Sequence, residues 1–426
     1  MEMLYQYLWK FRMLGRELRT VDGEDVVILS PGVLNSDAGP DFSGARLRIG
    51  GQEWIGNVEI HVRASDWQRH GHDADLAYDN VILHLVSVSD CRIFRADGTM
   101  VPQLIASFPE PFFRMYLKLS DKISQVACMN DIAGLSPLTV ADWMSTLSVE
   151  RMQMKSERIL RIYEACGRDW ETTCFITLAR SLGFGLNGDP FEMLARSIPL
   201  KFLARHCDDP VQLEALLFGQ AGMLDASLHI FDEYYQLLCR EYYFLARKYG
   251  LRPMRRDVWK YARTRPWNFP HRRIATLAAA VTGGFALFSD IMERSGEPQE
   301  IAAIFHWPLQ GYWATHSDFD VEAARLSSCL SESSVRLLLI NFAAPLIYAH
   351  AASLGNIDIA ERASDIWDNA PPEKNSIMTQ WLKAGIEAKS AADSQALLQL
   401  RKEYCDRDRC LECRFGHSLL RNSCNL

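Results

Sequence analysis

Partway along this chain the spacing of its apolar residues changes, and with it the kind of backbone structure it can build. Before about residue 118, strict alternation and short apolar runs dominate. Ala45, Leu47 and Ile49 alternate with Arg46 and Arg48; Val58, Ile60 and Val62 alternate with Asn57, Glu59, His61 and Arg63. Period two is the signature of strands that lay one face on a core. Residues 26–29 and 81–88 are apolar on both faces, as strands covered on both sides must be. From about residue 119 the spacing turns helical. It stays so through segments near 141–166, 170–183, 191–206, 210–224, 227–249, 272–292, 320–330, 333–352, 357–367 and 375–402. The pattern predicts an α/β domain with a mixed sheet over residues 1–118, opened by a helix on Leu4, Leu8 and Phe11. A larger all-α domain follows over 119–402, then a cysteine-rich tail over 403–426.

At 426 residues the chain exceeds what one hydrophobic core serves. Its 48% apolar and 23% charged content is that of a globular protein and excludes a disordered polymer or a fibre. A net charge of −7 argues against coating nucleic acid by bulk charge and leaves room for a local basic patch. Eleven scattered cysteines, with charged residues through the N-terminal fifteen, predict a reducing cytoplasm rather than secretion. Residues 337–357 carry no Asp, Glu, Lys or Arg and are long enough to span a bilayer. Asn341, Pro345, His350 and Gly355 interrupt them, so a buried core helix is expected and no membrane.

The densest chemistry is Pro40-Asp41 followed, eighteen residues later, by Glu59-Ile60-His61. Alternation puts Glu59 and His61 on one strand face, and a hairpin would bring Asp41 beside Glu59. Two carboxylates and a backbone carbonyl make a hard-oxygen site for Mg²⁺ or Mn²⁺. Here the sequence resembles the PD-(D/E)XK phosphodiesterase superfamily, over roughly residues 4–90 and in the order α-β-β-β-α-β. That resemblance implies a restriction-endonuclease-like fold, with Asp41 and Glu59 holding the metal and His61 standing where the motif has lysine. It implies metal-dependent phosphodiester hydrolysis on nucleic acid, and an acidic residue on the first helix, for which Glu17 is the candidate. The histidine in place of lysine leaves an alternative, a catalytically inactive nucleic-acid- or protein-binding module on the same scaffold. The chain is also similar to an uncharacterised bacterial family of unknown function, on GPDFSGARL, GNVEIHVRASDWQRHGH, RPWNFPHRR and YCDRDRCLEC.

Three further groups carry chemistry. His61, His70, His72 and His84 lie within 24 residues, and a zinc-dependent hydrolase of small molecules built on the first three is a third reading. His70 and His72 belong to a polar segment expected to lie over the carboxylates as a lid, while His84 in its apolar strand reads as a hydrogen-bonded core histidine. In the tail, Cys405, Cys410 and Cys413, with His417 or Cys424 as a fourth ligand, have zinc-knuckle spacing; C-x₄-C-x₂-C is also an iron–sulfur spacing. Finally, residues 240–273 hold eleven Lys or Arg against two acidic residues. Arg252, Arg255, Arg256, Lys260, Arg263, Arg265, Trp267, Arg272 and Arg273 form a candidate nucleic-acid surface, weighed against a solvated helix face with buried tryptophans.

Overall fold

The alternating segments become the strands of one seven-stranded mixed sheet. The structure, a computed structural model, describes every residue except 16, 36–37, 109, 121–125, 226–229, 262–267, 324–325 and 424–426. Its first elements are α1 (Glu2–Lys10), β1 (Leu18–Arg19), β2 (Asp25–Ser30), β3 (Val33–Leu34), β4 (Phe42–Ile49) and β5 (Gln52–Arg63). They are followed by α2 (Asp66–Arg69), β6 (Val81–Val88), β7 (Gln103–Ile105) and α3 (Glu110–Leu119). The sheet runs β1-β2-β4-β5-β6-β7, with β3 on β4. Pairs up to β4–β5 are antiparallel, and β5–β6 and β6–β7 are parallel.

Two registers place the site. Phe42 pairs with Val58, which brings Asp41 beside Glu59, and Glu59 pairs with His84 across the parallel ladder. A parallel pair cannot be joined by a tight turn. The connection from β5 to β6 is α2 with the short helix Leu76–Tyr78, and this polar stretch lies over β5. The consequence shows in burial. The start of β5 is exposed, yet Val58, Glu59, Ile60 and His61 are all buried. The polar face of the strand is therefore covered, and a covered carboxylate and imidazole need partners.

The chain divides into two compact units. The first comprises residues Met1–Trp143, Lys383–Gly385 and Leu400–Leu426; the second comprises Met144–Leu382 and Ile386–Gln399. Sequence periodicity places boundaries at 118 and 402. In the structure the residues around the last cysteines belong with the sheet, and the second unit is inserted between two parts of the first.

The second unit is almost wholly helical, as its periodicity requires. The apolar run near 337–357 is the helix Glu332–Leu354, the one stretch among the described residues long and apolar enough to cross a membrane. Its Leu338, Ile340, Phe342, Leu346 and Ile347 are fully buried in the core of that unit. Several expected helices are shorter or broken. Residues 191–206 divide before Pro199, and 272–292 divide at Gly283-Gly284. Among the described residues of 320–330 there is no helix: His316–Asp318 and Val321–Glu322 pair as a small hairpin turning on Asp320 at φ 58°. Asp and Asn tolerate that left-handed conformation better than most residues, and a tight turn there stops helical continuation.

Candidate metal centre

Glu59 is the hub. One carboxylate oxygen, Oε2, accepts the Asp41 backbone N–H at 3.0 Å. The other, Oε1, lies 3.3 Å from His61 Nε2 and 3.5 Å from His72 Nε2. His70 Nδ1 lies 3.2 Å from the same His61 nitrogen. The ligand atoms of His61, His70 and His72 all fall within 4.8 Å of one another. A tetrahedral ion with bonds of about 2.0–2.1 Å holds neighbouring ligand atoms about 3.3–3.4 Å apart. Three of the approaches, Glu59 to His61, Glu59 to His72 and His70 to His61, match that edge, and the three imidazole nitrogens form a looser group within 4.8 Å.

Local structure explains the convergence. Asp66 Oδ2 accepts the Arg63 N–H at 3.1 Å where the chain leaves β5, and Trp67 is fully buried with its indole N–H on the Phe94 carbonyl. Trp67 packs with Tyr78, Val81, Val86, Ile93 and Val101 beneath the turn. Gly71, at φ +76°, lets the backbone double back between two histidines, one of which, His72, approaches Glu59 while the other, His70, approaches His61. The His72 ring stacks on Tyr78 with centroids 3.8 Å apart. His84, fully buried on β6, holds His61 Nδ1 with its Nε2 at 2.9 Å, as its place in an apolar strand suggests. An imidazole partner on the far nitrogen orients a ligating histidine as a carboxylate or carbonyl commonly does. Among the described residues His84 Nδ1 has no hydrogen-bond partner.

Asp41 comes beside Glu59 as the hairpin predicts. Its Oδ2 accepts the Ile60 N–H at 2.9 Å and its Oδ1 the Gln6 side-chain amide at 2.8 Å. It therefore ties α1 to β5, and it faces the chain as much as the site. Burial raises its carboxyl above the usual range. Burial, then the neighbouring Asp41 charge, pushes Glu59 up to about 8. Burial and the other histidines press His61 down to about 4 and His84 to about 3. Burial likewise lowers His72. Without a cation these shifts leave a protonated Glu59 beside neutral His61 and His84. The first-helix acid facing these carboxylates is Glu2, whose charge bears on both. Glu17 is exposed beside β1. Helical spacing signals Glu2 poorly, because it sits at the very start of α1.

The other sequence candidates separate. Arg252, Arg255, Arg256 and Lys260 are exposed, with Arg255 paired to Asp257. Arg272 and Arg273 are buried, which removes them from any nucleic-acid surface. Arg272 spends its guanidinium on the backbone carbonyls of Trp313, His316 and Ser327. Arg273 bonds Asn268 and lies over the Phe184 ring. Arg263, Arg265 and Trp267 lie outside the described residues, as does Cys424. His417 gives Nδ1 to the Tyr7 hydroxyl at 2.7 Å and packs its ring on Phe11.

No curated protein and no solved structure matches the chain. A family model described as a protein of unknown function, DUF2851, matches residues 2–376. The match takes in the β-hairpin, the histidine turn and most of the helical unit, and stops before the cysteine-rich tail. The chain belongs to the DUF2851 family.

Proposed function

We propose that the first unit is a metal-dependent hydrolase of phosphodiesters, with nucleic acid as its substrate class. The observation that carries this reading is that Glu59 Oε1 lies 3.3 Å from His61 Nε2 and 3.5 Å from His72 Nε2, with His70 Nδ1 3.2 Å from His61 Nε2, beside a second carboxylate. The expected hard-oxygen pair is joined here by three imidazoles. That mixed set suits Zn²⁺ or Mn²⁺ better than Mg²⁺. The sheet order, the crossover over β5 and the places of Asp41 and Glu59 support the PD-(D/E)XK resemblance. The exposed Arg252, Arg256 and Lys260 suit a phosphate backbone.

In this reading Glu59, His61 and His72, the buried donors, would hold the ion, and His70, the exposed member, would leave room for water. A bound ion would supply an acidified water and a Lewis acid toward a phosphoryl oxygen. His61 is thereby a ligand, kept in orientation by His84, rather than a substitute for the motif lysine. Asp41 positions Glu59 through the backbone at Asp41 and Ile60.

The test uses metal-stripped full-length protein, with bis(p-nitrophenyl) phosphate and single- and double-stranded DNA and RNA as probes. Hydrolysis restored by Zn²⁺ or Mn²⁺, and cut at least ~100-fold by Glu59→Gln or His72→Ala, is expected. Turnover indifferent to both substitutions overturns the reading. One observation favours a second reading: with His70 in place the ion has four protein ligands, as structural sites do. The unit would then be a metal-stabilised binding module. His70→Ala separates the two, since opening a position preserves or raises hydrolysis in the first reading and yields none in the second.

A further inference from the structure

One face of the helical unit sets exposed rings beside unpaired cations. On the helix Glu233–Tyr249, Arg240, Tyr243, Phe244 and Arg247 recur at three- and four-residue spacing and so share a face. Tyr243 is 65% exposed and Phe244 63%, while Leu238, Tyr242 and Leu245 turn into the core. Arg240 also lines a groove of about 870 Å³, together with Phe231 and with Tyr234 and Tyr312, whose rings stack at 4.6 Å between centroids. Groove and stripe therefore meet at Arg240. Glu233 lines the groove as well, so the cationic part of the face begins at Arg240.

The face broadens where this helix ends. Tyr249 stacks on Phe202 of the short helix Leu200–Ala204 at 4.3 Å, and its hydroxyl meets His206 Nε2 at 2.8 Å. A cation lies over each ring. Arg247 is 5.8 Å from the Tyr243 centroid and Lys248 is 5.1 Å from that of Tyr249. Lys201 and Arg205 are 5.7 and 6.0 Å from that of Phe202. Elsewhere in this unit arginines are paired with acids, as Arg158, Arg180 and Arg196 are with Glu192. Among the described residues, Lys201, Arg205, Arg240, Arg247 and Lys248 form no ion pair. The acids Asp209 and Asp232 cap helices, and Glu241 accepts the Gln212 amide. An exposed ring with a cation against it is a stacking platform for a base, and the cation's free N–H groups suit the adjoining phosphate. A duplex offers base edges in its grooves, whereas a single strand offers base faces. An anionic bilayer would also attract the cations, but it calls for rings projecting into lipid, whereas Tyr243, Tyr249 and Phe202 each turn a face to a cation.

We propose that this face of the helical unit binds single-stranded nucleic acid, with bases stacking on Tyr243 and Phe244 and phosphates meeting Arg240, Arg247 and Lys248. As a statement about substrate, a single strand rather than a duplex, it rests on the hydrolase reading; as a statement about binding, it stands apart from the metal centre.

Fluorescence anisotropy on metal-stripped full-length protein tests it, with labelled oligothymidylate and a duplex of equal length as probes. The single strand should bind at least about tenfold more tightly than the duplex. Tyr243→Ala combined with Phe244→Ala should weaken that binding by about 10–100-fold, and Tyr243→Trp should preserve it. Both rings are exposed, so their loss leaves the core intact. Arg247→Gln with Lys248→Gln should lower the slope of log K against log salt by about 1.4, at about 0.7 per phosphate contact. No binding of the single strand, equal affinity for the duplex, or affinity untouched by the ring substitutions overturns the proposal. So does ring-dependent cosedimentation with phosphatidylserine vesicles in place of oligonucleotide binding. Ring-dependent binding in a protein that no metal makes hydrolytic upholds this proposal and overturns the hydrolase reading; hydrolysis of nucleic acid indifferent to the rings does the reverse.

Discussion

Glu59 makes metal binding measurable through protons. At pH 7 a carboxyl at about 8 is ionised in about one molecule in ten, whereas His61 at about 4 is already neutral. His72, also lowered, is likewise neutral. Ligands must be deprotonated to bind. From its protein ligands alone, loading Zn²⁺ at pH 7 should therefore expel about 0.9 proton, nearly all from Glu59. The apparent Kd should tighten about tenfold, or 1.4 kcal/mol, per pH unit from 6 towards 8, and level off above. Calorimetry in two buffers of different ionisation enthalpy counts the protons, and chelator competition gives the slope. In Glu59→Gln the affinity should fall and the slope should nearly vanish. The metal-free fold responds in the opposite sense. Because folding raises the Glu59 carboxyl above its ordinary 4.5, its contribution is fully present below that pH and is lost as pH rises through about 8. A wild-type Kd that is flat between pH 6 and 8, or a wild-type slope in Glu59→Gln, would refute the assignment of Glu59 as a ligand.

Three other outcomes follow from particular contacts. His84→Gln should weaken Zn²⁺ binding by roughly 10–100-fold, through loss of the partner that orients His61, with the far-ultraviolet circular dichroism spectrum unchanged. Arg272→Met should cost about 3–5 kcal/mol in urea unfolding, since the buried Trp313 carbonyl and the part-buried His316 and Ser327 carbonyls lose their donor; a loss under about 1 kcal/mol contradicts the buried role. Reversing Arg252, Arg256 and Lys260 to Glu should reduce the slope of log K against log salt for duplex DNA by about 2–3 in fluorescence anisotropy, if these residues meet phosphates. An unchanged slope removes them from the interface.

Much of the first unit was legible in the sequence, because alternation states which residues share a strand face. It announced β4 and β5, and it placed Asp41 beside Glu59. It could not say that the polar face of β5 is covered, since coverage depends on where the crossover lies. His70 and His72 were visible as a polar segment over the carboxylates, but the approach of His72 to Glu59 and of His70 to His61 depends on the left-handed Gly71. The basic stretch misled in part: counting charges does not distinguish Arg256, in solvent, from Arg272, folded onto three carbonyls.

The discontinuity of the first unit bears on how the protein is made. Translation delivers α1, the sheet and the histidine turn early, but residues 400–426 emerge only after the whole inserted helical unit. At about 5–20 residues per second, roughly 15–60 s of synthesis separates residue 143 from the last helix. The helical unit, continuous but for three residues, can close its core during that interval. The sheet-bearing unit must wait, with α1 missing the C-terminal helix whose His417 meets Tyr7. During biogenesis the nascent sheet therefore passes through a stage in which one flank is bare, and that stage, rather than the finished fold, is where a folding helper or a protease would have its opportunity.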